Sequence, residues 1–183
     1  MVQLTERPGI KKIANSQDKF IYEVGVMYDA ENRFLEAQQM IWQCCQNNHL
    51  KSLVETHISE TEQQISNLEQ VFDILGQPPQ RINCEAAAGV ISDGQKFMLL
   101  AAESQKILEQ GIVGGQLAVE HLEIACYRCL IKGAEQMGQN QVVQLLQQNL
   151  QQEEQTAQKL EQLLPQLLQE TKSGDGKTTA KSR

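Results

Sequence analysis

Residues 141–169 read QVVQLLQQNLQQEEQTAQKLEQLLPQLLQ, and one stripe of their apolar members falls at Val142, Leu146, Leu150, Ala157, Leu160, Leu164 and Leu167. Spacings of three, four and seven belong to one face of a helix, so the stretch reads as a long amphipathic helix with glutamines toward solvent. The stripe has a gap. Glu153 stands three after Leu150 and four before Ala157, where helical geometry turns it inward with the leucines. Pro165 is expected to kink or fray the end of this helix.

Working outward, the pattern recurs in three other long segments. From about Gln17 to Asn47 the stripe is Phe20, Val24, Met27, Phe34 and Ile41, with Glu31 four after Met27 and three before Phe34. After a break at Asn47-Asn48 come Leu50, Val54, His57, Thr61, Ile65, Leu68, Phe72 and Leu75, ending at Gly76 before Pro78-Pro79, with Glu60 one turn beyond His57. A fourth stripe, Leu117, Ile124, Tyr127, Ile131 and Ala134, stops at Gly138 and holds Glu120 in line and Glu123 on its adjoining flank. Between the second and fourth stripes a further helix is expected, capped by Asn83, with Cys84, Ala87, Ile91, Met98 and Leu108 inward; Gly111, Gly114 and Gly115 mark its far boundary. No segment alternates as a strand does. The reading is an all-α bundle of four long helices with one crossover helix, spanning residues 18–170 between a polar segment (1–17) and a disordered basic tail (171–183).

Composition narrows the function. A chain of 183 residues, 40% hydrophobic, suits one domain, and 16 Lys and Arg against 23 Asp and Glu give a net charge of -7. That balance disfavours nucleic acid and anionic membranes as partners. Without an apolar run near the roughly 20 residues of a membrane span, and without an apolar signal core, a cytoplasmic protein is expected. Five cysteines, an odd number with no secretion signal, read as reduced thiols, and Cys126-x-x-Cys129 lies in mid-helix without the turn or second pair of a zinc motif. The glycine group follows no strand, so it does not form a nucleotide loop, and three histidines give no catalytic triad.

The chemistry lies in the acids inside the stripes. A single acid on an amphipathic helix is ordinarily a surface residue, and a single His57 ordinarily a satisfied core histidine. Four long helices each carrying an inward carboxylate near mid-length are harder to explain that way. Isolated buried carboxylates are costly and either take up a proton or find a cation. Two divalent ions would neutralise most of such a cluster, and carboxylate oxygens with imidazole nitrogen suit iron or manganese. His57-x-x-Glu60 and Glu120-x-x-Glu123 place donors one turn apart, as carboxylate-bridged metal pairs in helix bundles do. Tyr28 and Tyr127 are read either as donors to metal-bound carboxylates or as core residues, and His121 as an outer or inter-subunit group about 100° round the helix from Glu120.

Over roughly residues 18 to 168 the ordered pieces resemble the YciE/YciF-type stress proteins, a ferritin-like family. The pieces are Tyr28-Asp-Ala-Glu31, His57-Ile-Ser-Glu60-Thr61, Leu68-Glu-Gln-Val-Phe, Cys84-Glu-Ala, Val119-Glu120-His121-Leu-Glu123-Ile-Ala-Cys-Tyr127, Leu145-Leu, Asn149-Leu150 and Glu153. The resemblance implies a ferritin-like up-down bundle, a homodimer and a dimetal centre. The metal ligands would be Glu31, His57, Glu60, Glu120 and Glu153, with Glu123 a ligand or base, and dioxygen or peroxide the co-reactant. Two departures stand out: the family's acid after the crossover-helix cysteine is replaced at Ala88, so that this chain lacks it or uses Asp93, and Gly111-Ile-Val-Gly-Gly115 stands in place of an alanine-rich entry. The competing expectation is a metal-poor interaction protein acting as a dimer in stress, its inner acids paired with His57 and buried hydroxyls.

Overall fold

The computed structural model describes residues 12–175, and the four stripes become the four long helices of a bundle. These are α1 (Ser16–Cys44), α2 (Asn48–Ile74), α4 (Gln105–Gln136) and α5 (Asn140–Asp175), with the crossover helix α3 (Glu85–Leu100) between the second and the third long one. Among the described residues no strand is present. The expected polar segment lies outside the described residues through position 11, and the expected tail beyond position 175.

Local chemistry sets the ends. Asn15 caps α1 by accepting the Asp18 N–H, and Asn47 caps α2 by accepting those of His49 and Leu50. α2 and α4 each stop before a glycine in the left-handed region, Gly76 at φ 65° and Gly138 at φ 69°, whose following N–H groups bond back to Phe72 and Ala134. The turn between α1 and α2 is held from outside: buried Glu109 on α4 accepts the N–H groups of Gln46 and Asn47, both at 2.7 Å.

Apolar packing fixes the directions. One cluster joins Phe20 and Val24 of α1 to Leu68 and Phe72 of α2, Leu130 and Ala134 of α4, and Val142 and Leu146 of α5. A second, at the far end, joins Leu50 and Val54 to Ile112 and Val113 and to Leu160 and Leu163, and a smaller third seats Cys84 and Ala87 on Ala30, Phe34 and Val119. α1 and α5 therefore run one way and α2 and α4 the other, and α3 carries the chain back along the bundle so that α2 and α4 can be parallel. Asp29 of α1 anchors this crossover, accepting from Arg33, from Arg81 at 2.9 Å and from the backbone N–H of Cys84 at 2.9 Å.

Three expectations about element ends are corrected. The cap of α3 is Cys84, whose Sγ accepts the Ala87 N–H, while the Asn83 side chain turns to Arg33 and Glu85; within this helix only Ala87 is buried. Gly111, Gly114 and Gly115 are not a boundary but lie inside α4, and Leu108 belongs to that helix. A Cβ on Gly111 would lie 1.8 Å from Cε1 of Phe97, so this glycine lets α3 pack close against α4. α5 runs through Pro165 and past Thr171 to Asp175, because extending a formed helix costs far less than starting one.

Candidate metal centre

Between the apolar clusters at its two ends the bundle interior is polar. Glu31, Gln38, His57, Thr61, Gln64, Asn67, Glu120, Glu123, Asn149, Glu153 and Thr156 are all buried there, each at most 3% exposed. Each helix turns in the polar residue that falls at its own mid-length on the apolar stripe, so the layer arises from helical spacing.

His57, Glu120, Glu123 and Glu153 form the centre of the layer, each offering a ligand atom within 4.8 Å of the others. Nε2 of His57 lies 3.0 Å from Glu120 Oε1 and 4.0 Å from Glu153 Oε2. Glu31 adjoins this group, its carboxyl interacting with Glu123 and accepting the Tyr127 hydroxyl. Glu60 stands apart. It is at the rim, 18% exposed, 3.6 Å from Nδ1 on the other edge of the imidazole, and accepts from Thr156 at 3.2 Å.

The supporting residues lock the inner acids. Gln64 donates to Glu153, and Asn149 donates to the Tyr127 hydroxyl at 2.9 Å and to the Gln64 carbonyl at 3.2 Å, while Asn67 donates to Asn149 at 2.7 Å. Sequence reading missed Gln64, Asn67 and Asn149. The signal exists, since Gln64 is seven after His57 and Asn149 four before Glu153, but an amide suits solvent as readily as a core, and the adjoining Ile65 gives the stronger apolar signal. Tyr127 takes the donor role that the sequence left open, whereas the Tyr28 hydroxyl bonds Glu69 at 2.7 Å, outside the layer. His121 is on the surface beside Glu161 at 3.6 Å. Asp93 is exposed, so no acid of α3 replaces the one missing at Ala88.

Despite these bonds the layer is short of positive charge. Glu31 Oε2, both nitrogens of His57, both oxygens of Glu120, Glu123 Oε1 and Glu153 Oε2 are buried with no hydrogen-bond partner, the His57–Glu120 approach being close but not aligned as a hydrogen bond. Burial pushes the Glu31 carboxyl up to about 7, against the opposing pull of Tyr127 and His57. Burial and neighbouring acids push Glu123 and Glu153 well above the carboxylate range. For His57 burial works downward, but the charges of Glu120 and Glu60 overcome it and hold the ring at about 10. Orphaned donor atoms of this number and type, converging from four helices, fit a hard or borderline divalent cation.

A ferritin-like all-α bundle with a buried His/Glu group able to hold a metal ion is the class that fold and site define. Residues 15–173 match the family described as a domain of unknown function (DUF892), and the chain belongs to that family. It is 28% identical over 136 residues to Protein YciF of Escherichia coli (strain K12), covering 74% of this chain and 81% of that protein. The crystal structure of the Escherichia coli stress protein YciF aligns with a TM-score of 0.81 at 26% identity, covering 86% of this chain and 99% of that one. The YcfI protein of Rhodopseudomonas palustris aligns at 0.78 with 33% identity, covering 82% and 96%. The resemblance read from the residues is thereby confirmed. No helix among the described residues is long and apolar enough to cross a membrane.

Proposed function

We propose that this chain is a metal-handling stress protein whose polar layer takes two ions of iron or manganese and reacts with dioxygen or peroxide. The observation that carries the reading is the set of unpartnered, buried donor atoms on Glu31, His57, Glu120, Glu123 and Glu153. When bound, such a metal pair supplies electron transfer to oxygen species and a positive field for the carboxylates. Glu31, Glu120 and Glu153 would hold the metals with Nε2 of His57, and Glu123 would serve as a further ligand or a base. Glu60, taken as a ligand from the sequence alone, faces Nδ1 and is better placed to accept that N–H and orient the ring. Tyr127 and Gln64 fix the inner carboxylates of Glu31 and Glu153 in the same way. A cytoplasmic setting belongs to this reading, since the five cysteines are all free.

Elemental analysis after anaerobic reconstitution with Fe(II) or Mn(II) tests it. About two ions per chain are expected, as in other carboxylate-bridged bundles, with loss of metal in Glu31→Ala and Glu153→Ala. A folded wild type that binds no stoichiometric metal overturns the proposal in favour of the interaction protein with internally paired acids.

The homodimer is proposed on separate grounds. Leu99 and Leu100 are 81% and 79% exposed at the end of α3, with Phe97 and Ile107 half-exposed nearby. Adjoining exposed apolar residues of this kind mark association surfaces. Sedimentation velocity should show a dimer that Leu99→Asp with Leu100→Asp converts to monomer; a monomeric wild type at micromolar concentration refutes it.

A further inference from the structure

The face of α4 that carries the inner acids continues beyond them. Glu120, Glu123, Cys126 and Cys129 follow at steps of three, and each step turns back about 60° round the helix while rising about 4.5 Å. The row therefore winds from core to solvent: Glu120 and Glu123 are buried, Cys126 is half-buried and Cys129 is exposed. Members three apart are side-chain neighbours, about 5–6 Å between Cβ atoms. Cys126 interacts electrostatically with Glu123 on one side and with Cys129 on the other.

Reaction of the site with peroxide needs two electrons per molecule, and this row connects a dithiol to the carboxylates. We propose that Cys126 and Cys129 are the reductant of the buried site, oxidised together to an intrahelical disulfide as peroxide is reduced. The inference rests on the metal reading above. The two S–H groups lose two electrons and two protons and one S–S bond forms; the peroxide O–O bond breaks and two waters leave. An external dithiol then restores the pair by exchange at exposed Cys129. Ideal helical geometry puts the two Cα atoms about 5 Å apart, inside the disulfide range. Their Cβ atoms start about 1 Å too far apart, so the bond tightens one turn of α4 and is readily reduced. Burial, followed by Cys84 and Cys129, pushes the Cys126 thiol up, which keeps it protonated and slow toward free peroxide. Cys84, also near Cys126, is occupied in capping α3.

The test uses full-length protein loaded anaerobically with Fe(II), and a chelator-treated control, each given two equivalents of hydrogen peroxide per chain, the first matched by the two electrons of the Fe(II) pair and the second by the dithiol. The loaded protein should lose two of its five free thiols, at least about tenfold faster than the control. Trypsin cuts after Arg128, so the bond should appear by mass spectrometry as two linked peptides. Cys129→Ser, at an exposed position, should keep its metal and lose this linkage. Consumption of both equivalents with all thiols intact, equal rates without metal, or a bond from Cys126 to Cys84 overturns the inference while leaving the metal reading in place. Stoichiometric metal with no peroxide consumption overturns the inference alone, whereas a folded protein that takes up no stoichiometric metal defeats both.

Discussion

Raising the pH from about 5.5 to about 8.5 should lower the melting temperature of the metal-free protein by roughly 10 °C, and the Mn(II)-loaded protein should show the opposite trend. The sign follows from which state holds more protons. Glu31 titrates near 7 when folded and 4.5 in an ordinary setting, so across that window the folded chain binds more protons and stability falls as pH rises. Glu123 and Glu153 are shifted the same way. His57, raised to about 10 from 6.5, contributes stability that is complete below 6.5 and is lost as pH climbs toward 10. Asp29 and Glu60 are held low when folded, so their contribution is constant across this window and is lost only in stronger acid. At about 1.4 kcal/mol per pH unit, the part of the Glu31 shift between pH 5.5 and 7 is worth on the order of 2 kcal/mol and the part of the His57 shift above 6.5 at least as much again, together roughly 10 °C for a chain of this size. Bound metal requires the same groups deprotonated, so its stabilisation grows with pH. Thermal melts at three pH values, with chelator and with Mn(II), decide it. A metal-free melting point that is flat or rises with pH would show that the cluster does not carry strained charge.

What the sequence made legible, and what it hid, follows from the energies involved. Stripes such as Phe20–Val24–Met27 could be read because burying each side chain is worth about 1.5–3 kcal/mol, enough to dictate which face turns inward. Glu31, Glu120 and Glu153 could be read for the converse reason, since an acid in such a stripe is costly enough to need an explanation. The glycines at 111–115 misled because each costs a helix only about 1 kcal/mol, which the packing of a 32-residue helix overrides. That Phe97 fills the space over Gly111 is a tertiary fact, invisible to any local pattern. Gln64 and Asn149 were hidden differently: an amide suits water or a buried network equally, and only Glu153 and Tyr127 show which applies. Asp29 and Glu109, which tie down the connections, lie on helix flanks and bond to backbone N–H groups far along the chain.

Opposite signs are expected when the two kinds of charge in the layer are removed one at a time. In the metal-free protein His57→Ala should destabilise by about 3–5 kcal/mol, because it removes the buried cation among the acids and leaves a cavity. Glu123→Gln should instead stabilise by about 1–3 kcal/mol. It keeps the shape and removes a carboxyl that burial and the charges of Glu31 and Glu120 already press toward its neutral form. The amide also places a donor beside Glu31, with which Glu123 interacts. Both variants should lose the rise in melting temperature that Mn(II) gives the wild type. Urea unfolding at pH 7 with chelator measures the first effect, and melts with Mn(II) the second. If Glu123→Gln destabilised as strongly as His57→Ala, the carboxyl would be a structural acceptor already satisfied in the fold. A stabilising Glu123→Gln that no longer responds to Mn(II) would show that this bundle retains an unfavourable buried charge whose use is to hold a metal.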